Sequence, residues 1–483
     1  MTKEKNGNAS YIMHSCIMLI IMIGFGFLPP VGNITELGMQ ILGVFLGSIY
    51  GWCFVDFIWP SILAMVVLGC TEYGTITSVF AAAMGDSIIM QLFFLFIFCA
   101  ILDEIGITKY IATWCISRKM CEGHPWRLTA MIFLAAYLVG MINLYGGILL
   151  VWYIFYVICK ETGYKKGDGY VSFVIVGVVL TITVGVFTMP FLPMSLMLYG
   201  MVCNVVGNVA MPSASWALTG LITIALTVLA YCLAGKFIFK IDLRKLADLP
   251  QEKFEAWRSE KMSSEQRAGL IVLAIFIVIL LLPTFLPVGG LKTFLSNVGC
   301  LGASALGIVF FCCRRTKEGK KIVEFKNMVF NGVSWDILIM IMATMPISAA
   351  FESAEAGILS TILTNVVPFF TTLGGLGFVI ITIIILNLLT QVVHNLVLMF
   401  AVMPTLCGVC MALGYDPIMY AFLAIMALTT ALATPGASAQ AALIYSNTDW
   451  ITTKDAFKFS IVGVVTTMLV LLCVIFPVST FIF

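Results

Sequence analysis

The chain has 483 residues, of which 61% are hydrophobic and only 10% are charged. Its mean hydropathy is +1.08 and its formal net charge is +2. This composition excludes a soluble globular protein and is typical of a polytopic α-helical membrane protein. The 15 cysteines show no metal-ligand spacing, so we expect neither a zinc site nor a disulfide framework, and nothing indicates a nucleic-acid partner.

The first half contains a series of apolar runs long enough to cross a bilayer, which takes about 18–20 residues. An N-terminal segment, 1–35, carries the first helix, and a first repeat unit follows at 36–240. The predicted spanning helices lie at 11–28, 37–54, 57–71, 86–103, 170–207 and 215–239. Two shorter apolar pieces, interrupted at Ile142–Gly147, predict a re-entrant hairpin over 128–159. One long kinked helix over the same residues is the alternative.

The second half repeats this organisation after a polar linker at 241–267 that we place in the cytoplasm. A second repeat unit, 268–483, contains a second split apolar pair, which predicts a hairpin at 372–410 with its polar interruption near Asn387–Asn395. The predicted spanning helices of this half are 268–286, 296–313, 335–351, 417–447 and 456–476. The expected fold is therefore an all-α membrane protein with about eleven transmembrane helices and two re-entrant hairpins.

The Lys and Arg residues support this arrangement in the membrane. With a cytoplasmic N-terminus, the predicted topology places every one of the 26 basic residues except Lys292 on the cytoplasmic side. In membrane proteins, Lys and Arg are enriched in the loops on the cytoplasmic side. The topology predicts a multi-pass protein of the cell membrane whose C-terminus lies outside.

The two halves share landmarks in the same order. Asp86 and Asp336 begin corresponding helices, and two long helices are each broken by polar and proline-containing segments, Thr188–Pro193 and Ala433–Gln440. An odd number of predicted spans separates the copies, so they have opposite orientations. An inverted repeat with interrupted helices in matching places is typical of a secondary transporter with a site near the membrane midplane.

The interruptions also indicate what kind of ligand they could hold. Freed backbone N–H groups at the N-termini of half-helices suit anions, whereas freed carbonyls suit Na⁺. No Lys or Arg lies at membrane depth in the predicted topology, so amide and hydroxyl donors would have to hold an anion. Gly146 and Gly147 allow close approach of the backbone at the first hairpin tip.

The second hairpin, Leu389–Leu396, and the segment Ala433–Pro435 resemble the divalent anion/sodium symporters, the dicarboxylate and sulfate transporters of the ion transporter superfamily. The resemblance covers most of the chain. The two Ser-Asn-Thr tips of that family read Ile142-Asn143-Leu144 and His394-Asn395-Leu396 here, and the Glu of its second hairpin is Gln391. Both asparagines are kept, while all four hydroxyls are absent.

The resemblance implies that Asn143 and Asn395 contact ligand, with Na⁺ near both, and that Thr188, Thr434 and Pro435 form opposing walls. The asparagines could instead only cap half-helices. His394 could carry a proton or donate to substrate, or could be a buried structural histidine. The full predicted site consists of the hairpin tips and helix breaks: Asn143, Gly146, Gly147, Thr188, Pro190, Thr390, His394, Asn395, Thr434, Pro435 and Ser438.

These observations predict a secondary active transporter of a small anion, with a carboxylate favoured and coupling to Na⁺ or H⁺. The resemblance implies a homodimer and an elevator-type motion, with helices 1–3 and 6–8 as scaffold. A passive anion channel or a transporter of a non-dicarboxylate solute is the alternative. An enzyme is not expected, because three His and scattered carboxylates form no catalytic constellation, and no cofactor other than Na⁺ is anticipated.

Overall fold

A computed structural model of the protein describes residues 2–207, 212–248, 255, 259, 261–315 and 319–483. Within these ranges the structure consists of helices and connecting turns, with a single isolated β-bridge between Arg315 and Lys321. Ten of the described helices are long and apolar enough to cross a membrane. The predicted all-α membrane fold is therefore confirmed.

The helices of the first half begin at capping residues that the sequence supplies. Thr35 caps α2 and Asp86 caps α5, each accepting a hydrogen bond from a backbone N–H in the first turn. The helices are α1 (Thr2–Gly24), α2 (Glu36–Phe54), α3 (Ile58–Leu68), α4 (Ile76–Gly85), α5 (Ser87–Glu104), α6 (Ile107–Ile116), α7 (Pro125–Gly140), α8 (Leu144–Thr162), α9 (Gly169–Gly185), α10 (Pro193–Val206) and α11 (Ser213–Leu233).

The second half contains the corresponding helices in the same order. It comprises α12 (Ser264–Phe285), α13 (Gly290–Cys313), α14 (Phe325–Gly332), α15 (Trp335–Glu352), α16 (Ile358–Leu389), α17 (Asn395–Leu413), α18 (Pro417–Leu428), α19 (Ala439–Ser446), α20 (Thr453–Val470) and α21 (Phe476–Ile482). Helix α16 bends by 116° between Thr372 and Gly374. The bend separates a linking segment, comparable with α6, from the first arm of the second hairpin.

Both split apolar pairs fold back on themselves. In the first hairpin, α7 and α8 meet so closely that a Cβ added at Gly147 would lie 3.1 Å from Val139 and 3.5 Å from the Cα of Gly140. In the second, the ring of Phe378 near the start of one arm lies 5.9 Å from the ring of Tyr415 just beyond the other. One long kinked helix over 128–159 is therefore excluded.

The hairpin arms are longer than predicted. Helices α8 and α17 have 19 residues each, enough to span a membrane by length alone. The hairpins were predicted because their arms looked too short to span a membrane, and that reason was wrong. The fold-back at each tip defines them, and that depends on packing between the arms rather than on their length.

The helices form two apolar cores. A smaller core joins α1–α4 with α15, through residues such as Met18, Ile41, Ala64 and Ile347. In the larger core α11 packs against α9 and α20, where the ring of Phe173 stacks on Tyr231 at 4.5 Å. The sixth predicted spanning helix, α11, thus packs against a broken helix, and its assignment to the scaffold stays a prediction.

Candidate functional site

A cavity of about 350 Å³ lies beside the first hairpin tip. Its wall is formed by the last turn of α5, the tip between α7 and α8, the break between α9 and α10, and the segment that joins α14 to α15. The polar side chains on this wall are Asp103, Glu104, Asn143, Tyr145, Asn331 and Ser334. The cavity therefore combines the predicted tip with carboxylates that the sequence interpretation did not assign to the site.

Asn143 has two roles in this wall. Its Oδ1 accepts a hydrogen bond of 2.8 Å from the Gly146 N–H and so caps α8. Its Nδ2 donates a 2.7 Å hydrogen bond to the Asp103 carboxylate. A Cβ at Gly146 would lie only 2.5 Å from that Nδ2, so the glycine is required by the cap. Capping and site contact are therefore compatible.

Asp103 is the residue of this wall that sequence reasoning missed. It also accepts a hydrogen bond from the Thr108 hydroxyl, so its carboxylate is oriented from two sides. A carboxylate at the end of an apolar helix is usually interpreted as a solvated end. The available signal was its position three residues before Gly106, where the chain leaves α5 to enter the hairpin.

Four helix N-termini converge next to this cavity. A narrower cavity is lined by first-turn residues of α8, α10, α17 and α19, namely Tyr145, Met194, Leu396 and Gln440. It adjoins the larger cavity, because Leu144, Tyr145, Val186 and Met194 line both. The N-terminus of a helix carries partial positive charge and unpaired N–H groups. The four N-termini therefore favour a bound anion, although no Lys or Arg side chain lines the narrow cavity.

The second hairpin tip is attached to the second helix break. Asn395 is buried and its N–H donates a 3.0 Å hydrogen bond to the Ala437 carbonyl. Thr390 is buried and bonds to the Leu428 carbonyl at 3.3 Å. Ser438 caps α19 by accepting from the Ala441 N–H at 3.0 Å. Asn395 lines the narrow cavity, Thr390 connects the tip to the end of α18, and Ser438 bonds within the break, to the Ala431 carbonyl and the first turn of α19.

His394 faces away from these cavity walls. Its ring lies edge-on to Phe57, in the turn between α2 and α3, with ring centroids 5.6 Å apart. Its Nδ1 is buried without a hydrogen-bond partner among the described residues. The histidine therefore lies where the second tip meets the turn between α2 and α3.

The remaining predicted residues have structural contacts. The buried Thr188 hydroxyl bonds to the Tyr137 hydroxyl at 3.0 Å and to the Gly185 carbonyl at 2.7 Å. Pro190 lines a different cavity, of about 260 Å³. The Thr434 hydroxyl donates to the Gln391 carbonyl at 2.6 Å, and Pro435 is exposed. In the described part of the chain no group of three or more His, Cys, Asp or Glu residues could hold a metal ion.

Comparisons with known proteins agree with this architecture. The family model described as "CitMHS: Citrate transporter" matches residues 8–423. No curated protein matches the sequence significantly. The crystal structure of the YdaH transporter from Alcanivorax borkumensis is similar in fold, with a TM-score of 0.59, 11% identity, and coverage of 84% of this chain and 87% of that chain. The predicted membership of a transporter family is confirmed by the family model, and the structural similarity shows the shared fold. Because the family model spans most of the sequence, the chain belongs to the CitMHS citrate transporter family.

Proposed function

We propose that the protein is an ion-coupled secondary transporter that moves citrate or a closely related small carboxylate across the plasma membrane. The observation that carries this proposal is the convergence of the N-termini of α8, α10, α17 and α19 on a narrow space, of about 10 Å³, that adjoins the cavity of about 350 Å³. Carboxylate oxygens accept hydrogen bonds from such N–H groups, and the helix dipoles favour negative charge there. The description of the matching family names the same class of substrate.

The carboxylate of Asp103 supports coupling to a cation. It lies on the wall of the cavity that adjoins the N-termini, so an anion bound there meets a negative charge nearby. At partial burial such repulsion is larger than in bulk water. A sodium ion or a proton at the Asn143–Asp103 pair would offset it and would link ion binding to substrate binding. A Na⁺ site near Asn143 and a proton carried by Asp103 are the two forms of this coupling.

The separation into two cores supports an elevator-type motion. Helices α1–α4 form the smaller core with part of α15, and α9, α11 and α20 belong to the larger one, to which α15 also contributes. In the proposed cycle the hairpins and broken helices move with the larger core past the smaller one. The homodimer remains part of this proposal on the resemblance alone.

Uptake of radiolabelled citrate into proteoliposomes tests the proposal. We expect accumulation against a concentration gradient when either an inward Na⁺ gradient or an inward proton gradient is imposed, and the effective ion identifies the coupling. Unlabelled tricarboxylates should compete, and neutral solutes should not. Downhill flux that ignores both gradients would indicate a passive channel, and a lack of citrate flux alongside robust flux of another anion would reject the substrate.

A further inference from the structure

The second helix break leaves backbone groups that the helix itself cannot satisfy. Helix α18 ends at Leu428 and α19 begins at Ala439, so the segment between them is flanked by two helix ends. Carbonyl groups freed at such a break must find donors when they are away from water. In transporters, unwound carbonyls of this kind can coordinate a coupling cation.

In this protein the side chain of Gln391 supplies the donors. Its Nε2 donates 3.0 Å hydrogen bonds to two carbonyls, that of Thr430 at the break and that of Asn387 on its own hairpin arm. Its Oε1 accepts from the N–H groups of Leu432 and Ala433 at 3.3 and 3.0 Å. One neutral amide thus pairs with both kinds of freed backbone group, the carbonyls and the N–H groups.

Neighbouring side chains complete the network. The Nδ2 of Asn387 donates to the Thr430 hydroxyl at 2.7 Å and to the Ala427 carbonyl at 3.3 Å. The Thr434 hydroxyl donates to the Gln391 carbonyl. Asn387 and Thr430 are buried, at 1% and 0% exposure, so these bonds are protected from water. The carbonyls of Ala427 and Thr430 therefore already have donors without an ion.

We propose that the amide of Gln391 takes the place of a coupling cation at the second break, so that this half of the transporter binds no coupling ion. A positively polarised NH₂ group that bridges two carbonyls meets the same electrostatic need as a bound Na⁺. Coupling by an ion is then confined to the first half, where the Asp103 carboxylate faces Asn143. This inference deepens the proposed transport function, and it does not depend on citrate being the substrate.

The decisive variant is Gln391→Glu in the full-length purified protein. A carboxylate at this position turns two donated hydrogen bonds into a cluster of acceptor oxygens around the carbonyls of Asn387 and Thr430. Such a cluster is destabilised unless a cation enters it, and a ligand that binds only the folded state raises its stability. At pH 9 we expect the melting temperature of Gln391→Glu to rise by about 2 °C or more in NaCl relative to choline chloride.

Two controls separate ion replacement from simple loss of packing. Gln266→Glu makes the same charge change in the first turn of α12, where Glu also suits the capping box although the 3.1 Å bond to the Gly106 carbonyl is lost, and its sodium response should not exceed that of the wild type. Gln391→Leu should melt lower than wild type in both salts. Any sodium response of the wild type at the same ionic strength belongs to the first half, so it is the baseline for all three variants and should be retained in Gln391→Leu.

Two results would overturn the inference. One is a Gln391→Glu protein that folds and whose sodium response at pH 9 does not exceed that of the wild type. The other is a wild-type sodium response that Gln391→Leu abolishes, because the amide would then be a neighbour of a bound ion rather than its replacement. Since no substrate is added, either result leaves the citrate proposal to be judged by transport alone.

Discussion

The residues of the first tip show how one side chain can combine a structural and a functional contact. Asn143 caps α8 through its Oδ1 and holds the Asp103 carboxylate through its Nδ2. The cap fixes the position of the amide, and the amide fixes the orientation of a carboxylate on the cavity wall. The hydrogen bond to an ionised partner is the stronger kind, with a typical net value of about 1.5–3 kcal/mol.

Substitutions at Asn143 should separate these two contacts. Asn143→Ser and Asn143→Ala both lose the bond to Asp103 and should lose about 1.5–3 kcal/mol of unfolding free energy, and Asn143→Ala should lose about 1 kcal/mol more because Ser, unlike Ala, is a good N-cap. Both variants lack the donor to Asp103, so both should reduce kcat/KM for citrate uptake by about tenfold. Thermal unfolding and uptake kinetics measure the two effects. Wild-type uptake by Asn143→Ser would show that the bond to Asp103 plays no part in transport.

The same residues show what sequence can and cannot predict. Both tips were predictable because a polar residue inside a long apolar run is costly in a membrane. Such residues therefore tend to mark functional sites. Asp103 was not predictable, because its partner lies 40 residues away along the chain and only the folded hairpin brings them together. The role of Gln391 was equally hidden, since its bonds to Leu432 and Ala433 depend on how α18 unwinds.

At the scale of elements, α11 stabilises the break between α9 and α10. The indole N–H of Trp216 donates a 2.9 Å hydrogen bond to the Phe187 carbonyl, which the break has freed. One turn further along, Gly220 lets the helix approach so closely that an added Cβ would lie 2.3 Å from the Thr188 carbonyl oxygen. The sequence predicted the break but not that α11 packs against it. Nothing in the sequence around Trp216 or Gly220 indicates that these residues contact Phe187 and Thr188.

This close approach predicts a stability effect. Gly220→Ala must push α11 away from the break, since the obstacle is backbone, and we expect a loss of about 1–3 kcal/mol of unfolding free energy. Gly169→Ala, at the start of α9, has no atom within 4 Å of the new Cβ and should be neutral or slightly stabilising. Thermal unfolding of both purified variants makes the comparison. Equal stability of the two would contradict the predicted clash.

At the scale of the whole molecule, two halves with the same helix order are joined by the linker that follows α11. Corresponding helices of the halves include α5 and α15, the arms of the two hairpins, and the broken helices α9–α10 and α18–α19. With both hairpins returning to their own side, the eleven spanning helices predicted from the sequence give an odd number of crossings. The termini would then lie on opposite sides of the membrane.

Reporter fusions in a bacterial host test this orientation. A green fluorescent protein fused after Asp242 should fluoresce, because the basic segment that follows α11 is expected in the cytoplasm. The same reporter at the C-terminus should not fluoresce, whereas alkaline phosphatase fused there should be active, because the C-terminus is expected outside. A fluorescent C-terminal fusion with inactive phosphatase would require an even number of crossings and would remove the inversion between the halves.

The helices that enter the two hairpin regions begin in the same unusual way. Gly106 precedes α6 with φ +78°, and Gly357 precedes α16 with φ +68°. An added Cβ at Gly357 would also lie 2.0 Å from the Asn33 carbonyl oxygen. A side chain is poorly tolerated at such a backbone conformation, whatever the transported solute. For recognising very distant relatives, a pair of glycines in matching places of the two halves should therefore be a more reliable marker than the residues of the tips.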